Sequence, residues 1–475
     1  MRTRRHSWIA SAACAALLVA GLAACGDSGD GSTTSSGDAA TSGGDTGTGT
    51  DTDTDTSGDV VTINWWGFAP DVSVGEKYVA AFEAANPGIK VVYKNFENTD
   101  YAPALRPALQ SDEGPDIYEI SAGGNVAGIQ LWADYAEDLT ATAEEALGAD
   151  WKSKFAPGYI DQLTWPDTGI LTALPLGGVG AQMFWYNKTL LDSLGLQPPA
   201  DYDEWVEQCK VITDAGYTCM AMGAGGDMTF GTELLRTTTS SVDTEYWIKA
   251  LKGEASWEDP VFYEGIQILR NMIKDGIIQA DAIGVQQYPE ANNTFMAGKA
   301  AYVQMGTWYT QYAGREAQTV AAQAAGVSTP DPFVMMPMLT PNLGGQTPGM
   351  VAEVEWGFAV NPKSKNMEAA KKFATWFTTT QEGQEVILHY LDIGLPALVG
   401  MAPNWAEVDL VDPDIQIPAF EEMYAAAGAT AETRQLHLSQ ETSNALVIAV
   451  QEALATDKSP EDIAAGVQAA AVARP

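Results

Sequence analysis

Histidine, positive charge and late hydrophobic runs are what this 475-residue chain has least of. It holds 3 histidines, 4 cysteines, and 25 Lys and Arg against 62 Asp and Glu, for a formal net charge of −37. His6 lies in the first apolar stretch, so His389 and His437 alone remain. That is too few for a histidine-rich metal site and poor material for a Ser-His-Asp triad. So acidic a chain argues against nucleic acid and anionic lipid headgroups as partners. Past residue 24 no apolar run is long enough to cross a membrane. Gly298-Lys299 lacks the Ser or Thr that completes a phosphate loop, and GGVGAQ at 177–182 lacks the third glycine of a dinucleotide fingerprint. Neither a cofactor nor a metal site is expected.

What is present begins with an export signal. Arg2, Arg4 and Arg5 precede an apolar run from Trp8 through Leu17, Leu18 and Val19 that is too short to remain as a membrane span. The run ends in Leu22-Ala23-Ala24-Cys25, which resembles the bacterial lipobox. The resemblance implies that residues 1–24 are a lipoprotein signal peptide and that Cys25 carries acyl chains such as palmitate. Such chains, at about 0.8 kcal/mol per buried methylene, would hold the exported protein on the outer face of the cell membrane. The alternative is a plain secretory signal. Residues 26–59 contain only Gly, Ser, Thr, Ala and Asp, so 25–59 reads as a lipidated cysteine followed by a disordered acidic tether. Asp51, Asp53 and Asp55 alternate as in a calcium loop, but Thr56 stands where glycine is needed and Thr62 where the bidentate Glu belongs.

The remainder alternates strand and helix signals. Val60 to Trp66 is β-branched and aromatic and stops at Gly67; Tyr78, Ala81, Phe82 and Ala85 recur at helical spacing until Asn86-Pro87-Gly88; Ile89, Val91 and Tyr93 then alternate. This is a βαβ beginning and points to a parallel sheet. Asp201 and Glu204 form a capping box ahead of an apolar stripe at Trp205, Val206, Cys209 and Ile212. Ala369, Ala370, Phe373, Trp376 and Phe377 share one face of a later helix. The Ala-rich end, interrupted by Gln468, reads as a surface helix of small residues. Cys209 and Cys219, an even pair in an exported chain, are expected to form a disulfide.

The order of segments resembles the family-1 extracellular solute-binding proteins of ABC importers, the group that includes maltodextrin-binding proteins. The pieces that carry the resemblance are FEAANPGIKVVY (82–93), GPDIYEIS (114–121), ALPLGGVGAQMFWYNKTLLDSLGLQPPADYDEW (173–205), FMAGKAAYVQMGTW (295–308) and WGFAVNPKSKNMEAAKKFATWFTTTQEGQEVI (356–387). The resemblance implies an α/β, two-lobed periplasmic-binding-protein-like fold with three crossings between lobes and a ligand cleft between them. It places residues 60–177 and 357–393 in an N-lobe and 178–356 and 394–475 in a C-lobe, with crossings near Leu176 to Gly180, Glu355 to Phe358 and Gly394-Leu395-Pro396. It further implies a monomer that captures a carbohydrate by hinge closure and delivers it to ABC permease transmembrane subunits.

Sugar rings offer apolar faces to aromatic planes and hydroxyl pairs to carboxylates and amides. Carried onto this sequence, the family pattern implies ligand contacts at Trp65 or Trp66, at Ser121, Gly123 and Asn125, at Gly180 and Gln182, at Trp308, and at Glu353, Glu355 and Trp356. Trp65 and Trp66 alternate on a strand, so only one of them can face the cleft. Few cations fall in these segments, which disfavours phosphorylated or uronic sugars. Two other functions fit parts of the chain: a surface glycan-binding adhesin and, less well, a glycoside hydrolase. Glu353 and Glu355, about 6.5 Å apart on one strand, have the spacing of an inverting pair but approach from one side, so no enzyme is expected.

Overall fold

The computed structural model describes residues 60–123, 126–225, 229–391, 393–430, 433–434 and 438–472. The signal peptide, Cys25, the tether, Asn125 and His437 lie outside the described residues. Among the described residues ten strands are found: β1 (Val61–Gly67), β2 (Ile89–Asn95), β3 (Ile117–Ile120), β4 (Leu174–Ala181), β5 (Met183–Asn187), β6 (Thr218–Ala221), β7 (Ala300–Val303), β8 (Met335–Leu339), β9 (Val351–Val360) and β10 (Leu395–Pro396). They form two sheets, a six-stranded one in the order β10-β4-β9-β3-β1-β2 and a four-stranded one in the order β6-β7-β5-β8.

The larger sheet grows from the βαβ unit. Helix Val72–Ala85 buries Tyr78 and Phe82, one turn apart, against the core. It stops at the buried Asn86, whose Nδ2 donates to Phe82 O at 3.0 Å, and Pro87 cannot extend it. β2 then runs parallel to β1, with Val61 opposite Ile89, and β3 pairs parallel on the other side. A wholly parallel sheet does not follow, because β9 is antiparallel to both β3 and β4, and β10 is antiparallel to β4. The reason is topological: β4 leads the chain out to the second sheet and β9 brings it back.

The two sheets sit in separate hydrophobic cores. In the N-lobe, Trp65 packs edge-on to Phe358 at 5.3 Å, and Phe358 meets Phe373 at 5.0 Å. In the C-lobe, Trp205 lies 5.4 Å from Tyr302 and Trp185 lies 5.7 Å from Phe420. Helix Tyr202–Asp214 starts on its capping box: Glu204 N–H donates to Asp201 Oδ1 at 3.0 Å. Glu204 Oε2 reaches back one residue further than the simple pattern, accepting from Ala200 N–H at 2.8 Å. Cys209 on that helix is bonded to Cys219 on β6, with their Cα atoms 5.1 Å apart and both residues buried. The last helix, Pro460–Val472, is more than surface: Ile463, Ala464 and Val467 enter the C-lobe core. Its Gln468 Oε1 accepts from Ser256 Oγ at 2.9 Å and Trp257 N–H at 2.7 Å.

The chain changes core three times. Leu176 belongs to the N-lobe core and Met183 to the C-lobe core; Ala352 belongs to the C-lobe core and Val354 to the N-lobe core. At the third, Leu395 belongs to the C-lobe core while Ile393 and Ala397 on either side of it belong to the N-lobe core. Ala397 O still accepts from Ala156 N–H at 2.8 Å and Val399 N–H donates to Lys154 O at 2.9 Å, whereas Trp405 packs on the C-lobe. The chain thus touches both cores between Ile393 and Val399 before it passes to the C-lobe. β4 and β9 pair from Leu174 against Phe358 to Ala181 against Val351, so one continuous ladder joins the lobes. Register shifts at Gly177 and Gly178 interrupt that ladder where it leaves the N-lobe.

Candidate functional site

The N-lobe edge of the site is the loop after β1. Buried Glu119 holds it from below: its Oε1 accepts from Trp65 Nε1 at 3.1 Å and its Oε2 from Phe68 N–H at 2.9 Å and Ala69 N–H at 3.3 Å. Gly67 is required there, since a Cβ would stand 1.9 Å from Glu119 Oε1. Tyr93 Oη and Asn95 Nδ2 donate to Pro70 O at 2.5 and 3.0 Å. The loop so fixed presents Asp71, which begins helix Val72–Ala85 and makes no capping bond with its side chain.

The C-lobe edge is aromatic. Trp308 follows β7 in the turn Thr307–Ala313 and stays half-buried. Its ring lies against Gly306, where a Cβ would come within 2.0 Å of Trp308 Cζ3 and 2.3 Å of Gly180 O; this is why MGTW needs its glycine. Trp308 Nε1 donates to Tyr288 Oη at 3.1 Å, and Phe230 stands edge-on to both rings at 6.2 and 6.0 Å. Tyr288 is 36% exposed, yet desolvation holds its hydroxyl well above the ordinary phenol pKa. Tyr312 and the N-lobe carboxylates Asp71 and Glu355 raise it further. Burial raises the Tyr312 hydroxyl too, and the charge of Asp71 adds to it. Asp71 itself is raised by desolvation.

Between the edges, at the hinge, lies a charge network. Arg434 Nε donates to Glu233 Oε2 at 2.7 Å, with both side chains nearly buried. Arg434 N–H donates to Glu353 Oε2 at 3.0 Å, and the guanidinium sits 5.0 Å from the Trp308 ring and 5.9 Å from Phe230. Arg236 Nη1 fixes the segment by donating to the carbonyls of Thr433 and Arg434 at 2.6 and 2.8 Å. Burial disfavours the Arg434 cation, but Glu233, Glu355 and Glu353 outweigh it and hold its pKa above the ordinary arginine value. Burial pushes the half-buried Glu355 up, Arg434 opposes this and Glu233 adds to it. Glu233 Oε1 accepts from Gln304 Nε2 at 3.3 Å and Gln182 N–H at 3.4 Å.

Of the residues singled out from sequence, the structure brings together Trp308, Glu353 and Glu355, with Gly180 and Gln182 directly behind them. Gly180 N–H donates to Thr307 Oγ1 at 2.9 Å, and Gln182 Nε2 donates to Gly349 O at 2.9 Å. Trp65 and Trp356 do not reach a cleft. Both are fully buried in the N-lobe core, 6.2 Å apart, because β1 and β9 turn those positions toward helix Met367–Thr379. Ser121 and Gly123 are buried as well. Trp66 is half-buried on the opposite face of β1 from Trp65, 5.1 Å from Phe96 with Lys94 Nζ 4.5 Å above its ring. Sequence reasoning missed Asp71, Phe230, Glu233, Tyr288, Tyr312 and Arg434. Arg434 alone left a signal, as a cation in a chain that has few.

Residues 68–384 match the family described as bacterial extracellular solute-binding protein. An uncharacterised ABC transporter extracellular-binding protein of Pyrococcus horikoshii is 26% identical over 241 residues, 48% of this chain and 52% of that one. The melibiose/raffinose/stachyose-binding protein MelE of Bacillus subtilis is 22% identical over 218 residues, 44% and 46% of the two chains. The chain thus spans about half the length of the curated relatives it matches. The solved structure of a chitin oligosaccharide binding protein superposes with a TM-score of 0.69 at 22% identity, covering 87% of this chain and 99% of that one. These are binding proteins. A family match over more than half of the chain, on a fold of two lobes joined by paired strands, establishes that this protein belongs to the bacterial extracellular solute-binding proteins.

Proposed function

We propose that this protein is the substrate-binding lipoprotein of an ABC importer, and that it captures a sugar or oligosaccharide between its lobes and delivers it to membrane permease subunits. The observation that carries the reading is the arrangement at the hinge. Trp308, open on one side, donates to Tyr288, whose hydroxyl lies within the electrostatic influence of Asp71 and Glu355 from two different segments of the N-lobe. An aromatic plane opposite free carboxylates is the pairing that a ring with an apolar face and hydroxyl edges requires. Contacts drawn from both lobes are realised together only when the lobes are closed, so ligand binding favours the closed form. Relatives that bind oligosaccharides support the sugar class.

Binding without catalysis fits the carboxylates. Glu353 is committed to Arg434 N–H, and Glu233 to its guanidinium, so neither is placed to act on a scissile bond. Acyl chains on Cys25 and the acidic tether of 26–59 would keep a monomeric receptor near its permease on the outer face of the membrane. The test is a titration of the purified protein with neutral mono- and oligosaccharides, followed by tryptophan fluorescence and calorimetry. Saturable binding of one sugar class, together with loss of its uptake when the gene is deleted, is the expected result. Binding with unchanged uptake would favour an adhesin, and no binding by folded protein would exclude a sugar receptor. Mass spectrometry of the native amino terminus tests the lipid at Cys25.

A further inference from the structure

The half-open ring of Trp308 is held by side chains that are themselves buried. Helix Thr229–Ser240 carries Phe230, Glu233 and Arg236 three residues apart, so all three lie along one side of it. Phe230 stands edge-on to Trp308 at 6.2 Å. Glu233 joins two segments: its Oε2 accepts from Arg434 Nε at 2.7 Å, and its Oε1 from Nε2 of Gln304, on the segment that leads to Trp308, at 3.3 Å. Arg236 Nη1 donates to the carbonyls of Thr433 and Arg434 at 2.6 and 2.8 Å. Arg434 N–H donates to Glu353 Oε2, on β9, at 3.0 Å. Arg434 is therefore anchored at its amide, its carbonyl and its guanidinium, by β9 and by this helix.

An ion pair with Glu233 takes only one of these bonds. The others fix where the guanidinium points, and it lies over the Trp308 ring with Cζ 5.0 Å from the centroid. We propose that Arg434 is a positioning residue of the sugar site, and that Arg236 acts through it: together they hold the Trp308 ring in the plane on which a sugar packs. This rests on the sugar reading above. A planar cation is drawn to the electron-rich face of an indole and lies flat along it. The bond from Trp308 Nε1 to Tyr288 Oη fixes the ring at its polar edge, at 3.1 Å. A ring set in place before the ligand arrives spares binding the cost of ordering it.

The experiment reads the ring and the binding separately. The full protein is labelled with fluorinated tryptophan for fluorine NMR, and the Trp308 resonance is assigned by its loss in Trp308→Phe. Arg434→Lys and Arg236→Lys keep the charge but not the planar fork, and melting curves show that each is folded. In both, the Trp308 resonance of the unliganded protein should shift or broaden while those of Trp65 and Trp356 stay in place. Raffinose, maltotriose and chitotriose serve as calorimetric probes, and whichever binds the parent protein should bind each variant about three- to thirtyfold more weakly. In Trp308→Ala, adding Arg434→Lys should weaken binding no further. Replacing Cys209 and Cys219 together by serine loosens the C-lobe at another point and should leave resonance and affinity unchanged; the same shift there would mark a general loosening and overturn the inference. An unmoved Trp308 resonance in both arginine variants would also overturn it. So would an Arg434→Lys loss equally large in Trp308→Ala, because the guanidinium would then meet the ligand itself. If none of the probes binds the parent protein, the sugar reading falls, and the Trp308 resonance still decides the role of the arginines.

Discussion

The two lobes are built from the same materials and use their tryptophans in opposite ways. The N-lobe sheet turns Trp65 and Trp356 into its core, where they pack with Phe358 and Phe373. On the loop after β1, pinned by Glu119, Tyr93 and Asn95, it exposes a carboxylate, Asp71. The C-lobe buries Trp185, Trp205, Trp247 and Trp257 but leaves Trp308 half-open beside Tyr288 and Phe230. The difference teaches a division of labour. Under the proposed function, the C-lobe would supply the apolar surface on which a ligand ring rests, and the N-lobe a polar group that meets it on closure.

That contrast can be broken most forcefully from the N-lobe side. Trp65→Ala removes a ring with no solvent contact and should destabilise the protein by about 3–5 kcal/mol, seen as a large fall in denaturation midpoint. A variant with unchanged stability and lost ligand affinity would show that Trp65 belongs to the cleft after all. At the hinge, Arg434→Met leaves Glu233 buried with its principal charge partner gone, and should cost about 3–5 kcal/mol. Adding Glu233→Gln to that variant should recover a large part of the loss, and independent, additive effects would deny the coupling. In the C-lobe, replacing Cys209 and Cys219 together by serine opens a loop of sequence separation 10 and should lower stability by about 2–3 kcal/mol. Calorimetric scans should place that loss in the transition of the C-lobe.

The sharper half of the comparison concerns binding. Trp308→Ala should weaken sugar affinity by about 1–3 kcal/mol through lost stacking and apolar contact, while changing the melting temperature of the unliganded protein much less than Trp65→Ala does. The smallest effect is a pH dependence. Burial raises the Glu355 carboxyl above its ordinary value, so the folded state takes up this proton before the unfolded state does. Stability of the unliganded protein should therefore gain a contribution as pH falls through the folded-state pKa toward the unfolded value near 4.5. Glu355→Gln should flatten that gain in pH-dependent melting curves. A variant that steepens it would reverse the assignment.

Several local features were readable from the chain because their causes are local. The capping box at Asp201 and Glu204, the stop at Asn86-Pro87 and the opposite facing of Trp65 and Trp66 depend on neighbours within a few residues. The same alternation rule applies to Glu355 and Trp356, adjacent on β9: with Glu355 toward the cleft, Trp356 must face the core, and expecting both as contacts conflicted with strand geometry. Asp71, by contrast, gains its meaning from Tyr288, more than two hundred residues along the chain, and no spacing rule spans that distance.

By itself the sequence determined the family, the alternation of strands and helices, the pairing of Cys209 with Cys219, and the motif that puts Trp308 beside Gly306. These follow from short-range sterics and from the order of segments. Tertiary structure alone decided which tryptophans are fully buried and which stay half-open, and that Arg434 is captured by Glu233 and Glu353 from elements 201 and 81 residues away. The physical reason is that burial and electrostatics depend on distance in space. The hinge strands bring together carboxylates, amides and one guanidinium that the chain itself keeps far apart.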